Sequence, residues 1–174
     1  TFANNTATSK GGAIYNYGIG FVVGNSTFAN NTAKDAGAVY NEGDNSVVGN
    51  STFVNNTAKY GGAIMNYAYG LVLDDSTFVN NTAKIGGAIY NSADCFVVGN
   101  STFVNNSAAD GAGVIFNYGI GFVVGNSTFV NNSAADGAGA ILNGGRGFVV
   151  GNSTFANNTA TSKGGAIINN GKLV

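Results

Sequence analysis

The sequence predicts an all-β fold, a single-stranded parallel β-helix (β-solenoid) of about seven rungs with three short strands in each rung. Three observations predict it. A Ser-Thr-Phe element returns with Thr27, Thr52, Thr77, Thr102, Thr128 and Thr154, and Thr1-Phe2 opens the chain in the same phase, so the repeat is 25–26 residues long. A Gly-Gly-Ala-Ile element or a near variant follows every time, as at Gly11 to Ile14, Gly61 to Ile64 and Gly164 to Ile167. The unit is rich in Asn, Thr, Ser, Gly and Val, which suits short strands joined by tight bends and does not suit a pair of helices.

Taken in chain order, the first strand centres on a phenylalanine column: Phe2, Phe28, Phe53, Phe78, Phe103, Phe129 and Phe155. Three residues on comes the first asparagine column, with Asn31, Asn56, Asn81, Asn106 and Asn132 between Asn5 and Asn158. The bend that follows varies in length. It carries Lys34, Lys59, Lys84, Asp110 and Asp136, as expected of a solvated edge. The second strand begins at an aliphatic column, Ile14, Val39, Ile64, Ile89, Ile115, Ile141 and Ile167. Two residues later stands the second asparagine column, Asn41, Asn66, Asn91, Asn117 and Asn143 between Asn16 and Asn169. Residues i and i+2 share a strand face, so the aliphatic and asparagine columns are expected to point inward together. The third strand aligns Val23, Val48, Leu73, Val98, Val124 and Val150. A buried amide without partners costs about 1–3 kcal/mol, but rungs about 4.8 Å apart let each carboxamide bond to the next, so both columns read as structural Asn ladders.

Composition narrows the function classes. Hydrophobic residues make up 44% of the chain and charged residues 9%, so disorder by composition is unexpected. Seven Lys and Arg against eight Asp and Glu give a net charge of −1, which supplies no basic face for nucleic acid or an anionic membrane. No run of eighteen apolar residues predicts membrane insertion by a helix. Cys95 is the only cysteine, so no disulfide within the chain is expected. There is no His and one Arg, Arg146, so the acid, base and metal-ligand sets of β-helical polysaccharide lyases and hydrolases are missing. Asp74 and Asp75 are adjacent but offer too few oxygens for Ca²⁺. Cys95 stands where other rungs carry Gly, with no His to activate it. No enzyme activity, catalytic residue, metal or cofactor is expected.

Three outward features remain. The residue between the aliphatic and asparagine columns is Tyr15, Tyr40, Met65, Tyr90, Phe116, Leu142 and Ile168; this stripe is either an exposed contact ribbon or is shielded by the adjacent loop containing Tyr17, Tyr67 and Tyr118. Thr27, Thr52, Thr77, Thr102 and Thr128 flank the phenylalanine column beside Ala29, Val54, Val79, Val104 and Val130, which predicts a flat uncharged face suited to sideways packing or to ice. Asn-x-Ser/Thr triplets recur, and Asn25 and Asn100 are the candidates for exposed glycosylation sites.

The pairing of Phe-x-x-Asn with Gly-Gly-Ala-Ile in each rung resembles the repeats of chlamydial polymorphic outer-membrane proteins. The fuller pattern, Asn-Ser-Thr-Phe-x-Asn-Asn-Thr-Ala with Gly-Gly-Ala-Ile-Tyr-Asn, also looks like the adhesin-like surface proteins of methanogenic archaea. The resemblance covers the whole chain. It implies a right-handed parallel β-helix on an extracellular, cell-surface protein, used for adhesion or as a stalk.

Residues 1–174 thus read as one solenoid domain. Neither end looks like a polar capping rung, and residues 1–14 repeat as 154–167, so a piece of a longer repeat protein or an uncapped fibre subunit is expected. The expected partners are other copies of the chain, neighbouring repeats, or surface glycans and proteins. A carbohydrate-binding or carbohydrate-active β-helix and an ice-binding solenoid are the alternatives.

Overall fold

The computed structural model describes residues 1–171. Among the described residues every regular element is a short β-strand, and every pairing between strands is parallel and joins one rung to the next. The three expected strands recur as Thr52–Val54, Ile64–Asn66 and Val72–Asp74 in a representative rung. They stack into sheets of seven, seven and six strands. A fourth, shorter line of pairing runs through the variable bend, where Thr57–Tyr60, Thr82–Ile85, Ser107–Asp110, Ser133–Ala134 and Thr159–Ala160 form a five-stranded sheet. The segment that varies in sequence is therefore mostly paired backbone and not a free loop, because pairing needs only N–H and C=O groups.

Register follows the columns. Phe78 lies opposite Phe53 on one side and Phe103 on the other, and Asn91 lies between Asn66 and Asn117. Seven phenylalanine rings from Phe2 to Phe155 stack face to face at 4.6–5.0 Å, and Phe28, Phe53, Phe78, Phe103 and Phe129 are fully buried. The third-strand column is buried from Val23 to Val124, while Val150, on the edge strand of its sheet, is partly exposed.

Both asparagine columns are buried ladders. In the first, the Nδ2 of Asn56 donates to Asn81 Oδ1 at 3.0 Å and to the Phe28 carbonyl at 3.0 Å, while its Oδ1 accepts from Asn31 Nδ2 and the Asn31 backbone N–H. The same four bonds recur at Asn31, Asn81, Asn106 and Asn132, so both donors and both acceptor sites of each amide are used. In the second ladder, Asn41, Asn66, Asn91, Asn117 and Asn143 each donate to the next amide at 2.6–2.8 Å and to the carbonyl two residues on. Burial is affordable for these polar groups because each is satisfied by a copy of itself.

Two further files line the interior that the aligned columns did not reveal. Ser51, Ser76, Ser101 and Ser127 are buried, each hydroxyl donating to the carbonyl two residues before it and accepting a backbone N–H from the preceding rung. Phe96, Phe122 and Phe148 make a second ring stack at 5.1 Å. Rung contact also explains the glycine pairs. A Cβ on Gly62 would overlap the Gly87 carbonyl oxygen of the next rung, and its neighbour Gly61 has φ +59°.

Candidate interaction surfaces

The stripe of Tyr15, Tyr40, Met65, Tyr90 and Phe116 lies on the outer face of its sheet but is not an exposed ribbon. Tyr40, Met65 and Phe116 are buried, Tyr90 is half-buried, and of these five Tyr15 alone is openly exposed. Of the two readings of this stripe, an exposed ribbon or one shielded by the adjacent loop, the burial of Tyr40, Met65 and Phe116 fits the shielded one. Ala36 and Tyr60 of the variable bend pack with Tyr40, Met65 and Tyr90 from one side. Tyr67 closes from the other side, 5.8 Å from the Tyr40 ring and 6.4 Å from the Tyr90 ring. Lys10 lies 4.4 Å from the Tyr40 ring centre. Burial pushes the Tyr90 hydroxyl up to about 12 and raises those of Tyr40 and Tyr67. Further along, Asp110 and Asp136 take the place of Tyr60 and Ile85, and a shallow cleft opens over Phe116, Leu142 and Ile168 beside Lys163. Ser162 and the Gly137 N–H hold the Asp136 carboxyl below the usual range.

At the first rung the cover becomes polar. Glu42 accepts a 2.6 Å bond from the Tyr15 hydroxyl and a 3.1 Å bond from Lys10 Nζ. The Tyr15 bond, with Lys10 adding to it, holds the Glu42 carboxyl below the usual glutamate range.

Thr27, Thr52, Thr77, Thr102 and Thr128 face outward as expected and are half-buried by their neighbours above and below. With Ala29, Val54, Val79, Val104 and Val130 they make a two-column face on a seven-stranded sheet whose strands carry no charged residue. Asn25 and Asn100 are exposed at the bend that precedes this sheet, both with left-handed backbone, φ +48° and +44°. Asn100 Nδ2 donates to Asp74 Oδ1 at 2.9 Å, so the aspartate that replaces Gly in this bend serves as a local acceptor.

The loop between the second and third strands shows an order not recognised from the aligned columns. In the first, third and fifth rungs it presents Tyr17 with Ile19, Tyr67 with Tyr69, and Tyr118 with Ile120, each about half or more exposed. In the second and fourth rungs the same places hold Glu42 with Asp44, and Ser92 with Asp94. The aspartates stitch the loops together, since Asp44 Oδ1 accepts from the Tyr69 N–H at 2.9 Å and Asp94 Oδ1 from the Ile120 N–H at 2.7 Å. Cys95 takes a left-handed conformation, φ +58°, in line with Gly70 and Gly121 at +72°. The two-rung alternation escapes a one-rung alignment because it averages apolar and acidic residues in one column.

A search of curated proteins and one of solved structures returned no match. The Chlamydia polymorphic membrane protein repeat model matches residues 1–17, 25–42, 50–67, 75–92 and 152–170, just over half of the chain. Each matched stretch runs from the Thr-Phe strand, or the bend before it, through the first ladder asparagine to the strand that bears the second, so the family pattern is the stacking pattern of the solenoid. The chain belongs to the Chlamydia polymorphic membrane protein repeat family.

Proposed function

We propose that this solenoid is a rod-like segment of a cell-surface protein, that it acts without catalysis, and that its Thr/Val face packs against other copies or neighbouring repeats. Family membership supports a repeat module of surface proteins. The observation that carries the lateral-packing reading is the face of Thr27, Thr52, Thr77, Thr102 and Thr128, on a sheet seven strands wide and free of charge along its strands. Such a face loses little on desolvation, since hydroxyl and methyl groups alternate and no ion must be buried. Charged residues lie mainly on the variable bend and on the Tyr17 side, which keeps those edges solvated. Seven rungs at about 4.8 Å give a rod about 30 Å long. Adhesion to surface glycans or proteins belongs to the same reading, and glycans on Asn25 and Asn100 would decorate the rim of the packing face. Sedimentation velocity tests the packing. The parent chain is expected to associate with rising concentration, and Thr77→Lys with Thr102→Lys is expected to stay monomeric. A parent that is monomeric at every concentration refutes it.

A further inference from the structure

Over the first five rungs the exposed loop between the second and third strands repeats every two rungs, whereas the solenoid beneath it repeats every one; in the sixth rung the same places hold Gly144 and Arg146. Tyr17, Tyr67 and Tyr118 therefore stand about 9–10 Å apart along the rod. Their rings are braced. Tyr67 sits between Tyr40 and Tyr90, and Tyr118 meets the Phe116 ring edge-on at 4.8 Å and 83°. The rungs between them put oxygen acceptors at the surface, Glu42 and Asp44 in one and Ser92 and Asp94 in the other. Asp44 and Asp94 each use one carboxylate oxygen on the next rung's backbone, which fixes the group in place.

We infer that this row of tyrosines is a binding site for an extended, uncharged, β-1,4-linked polysaccharide. In such a chain successive pyranose rings are flipped, so the same ring face returns every second sugar, an interval close to two rungs. One apolar sugar face would lie on each tyrosine, and the hydroxyls of the intervening sugar would donate to the acidic residues between. The carboxylates favour a neutral chain over an anionic one. An apolar protein partner would not require acidic residues at alternate rungs. This inference rests on the surface-rod reading and names its partner. It uses a different edge of the rod from the Thr face.

The test is isothermal titration of the 174-residue chain with cellohexaose and with chitohexaose, using maltohexaose and an anionic hyaluronan hexasaccharide as comparisons. At least one β-1,4 hexaose is expected to bind, about tenfold or more tighter than its disaccharide, and maltohexaose and hyaluronan are expected not to bind. Tyr67→Ala is expected to weaken binding about tenfold, Tyr67→Phe to keep it, and Tyr17→Ala with Tyr67→Ala and Tyr118→Ala to abolish it. The triple variant should keep the parent's circular dichroism and its sedimentation behaviour, so loss of glycan binding is distinguishable from loss of lateral packing. Failure of both β-1,4 hexaoses to bind, equal binding of maltohexaose, or a triple variant that binds like the parent overturns the inference.

Discussion

Replacing Asn81 by Ala removes one amide from the middle of the first ladder, and the cost can be worked from its bonds. Asn81 Oδ1 accepts from the Asn56 backbone N–H and from Asn56 Nδ2, both at 3.0 Å, and its own Nδ2 donates to the Phe53 carbonyl at 2.9 Å and to Asn106 Oδ1 at 3.0 Å. Asn106 Oδ1 keeps the Asn81 backbone N–H, so the acceptor side stays partly satisfied. The two Asn56 donors are left buried without partners. At about 1–3 kcal/mol each, the loss is about 2–6 kcal/mol, near the low end if a water enters the space. Asn80 provides the control. It is the preceding residue, exposed, with φ +54°, so Asn80→Gly should change stability by less than about 1 kcal/mol. Urea titration followed by far-UV circular dichroism compares the two. A loss below about 1 kcal/mol for Asn81→Ala, or one no larger than that of Asn80→Gly, refutes the ladder reasoning.

Other expectations follow from the same stacking. Gly62→Ala places a Cβ against the Gly87 carbonyl of the next rung, and a loss of about 3 kcal/mol or more is expected in the same titration; a neutral variant would mean that the rungs are not in backbone contact there. Cys95→Gly relieves a left-handed conformation at an exposed site and should stabilise by about 1 kcal/mol, with no gain as the contrary result. Glu42, whose folded-state pKa is depressed by Tyr15 and Lys10, contributes stability above its unfolded value of about 4.3 that is lost as pH falls through the lower folded value. Glu42→Gln should therefore flatten the stability profile in that acid range, and an unchanged acid limb would show that the bond does not persist in solution.

The columns that repeat residue for residue were legible from the sequence, because a parallel rung places each residue over its own copy. Phe78 over Phe53 and Asn91 over Asn66 needed only the repeat length and strand alternation. Columns of mixed identity were harder to read. Phe96, Phe122 and Phe148 share their column with Ser46 and Leu71, so no single residue type marked it as interior. The buried serines lie between a bend asparagine, or Asp75 in one rung, and an outward threonine, where their hydroxyls look like ordinary bend chemistry. The tyrosine stripe stayed open between exposure and shielding for a different reason. Alternation put Tyr40 and Met65 on the outer face of their sheet, and the part of their cover that the sequence did not show comes from Ala36 and Tyr60 of a bend whose sequence changes from rung to rung. The alternation of Tyr17, Glu42, Tyr67 and Ser92 required comparing every second rung.

The account stands most directly on the different surroundings of neighbouring asparagines, and side-chain amide hydrogen exchange read by NMR tests it. The carboxamide protons of Asn31, Asn56, Asn81, Asn106 and Asn132 should be strongly protected, while those of their preceding neighbours Asn30, Asn55, Asn80, Asn105 and Asn131 exchange at nearly the rate of free amides. Equal exchange across each Asn-Asn pair would contradict the stacked interior.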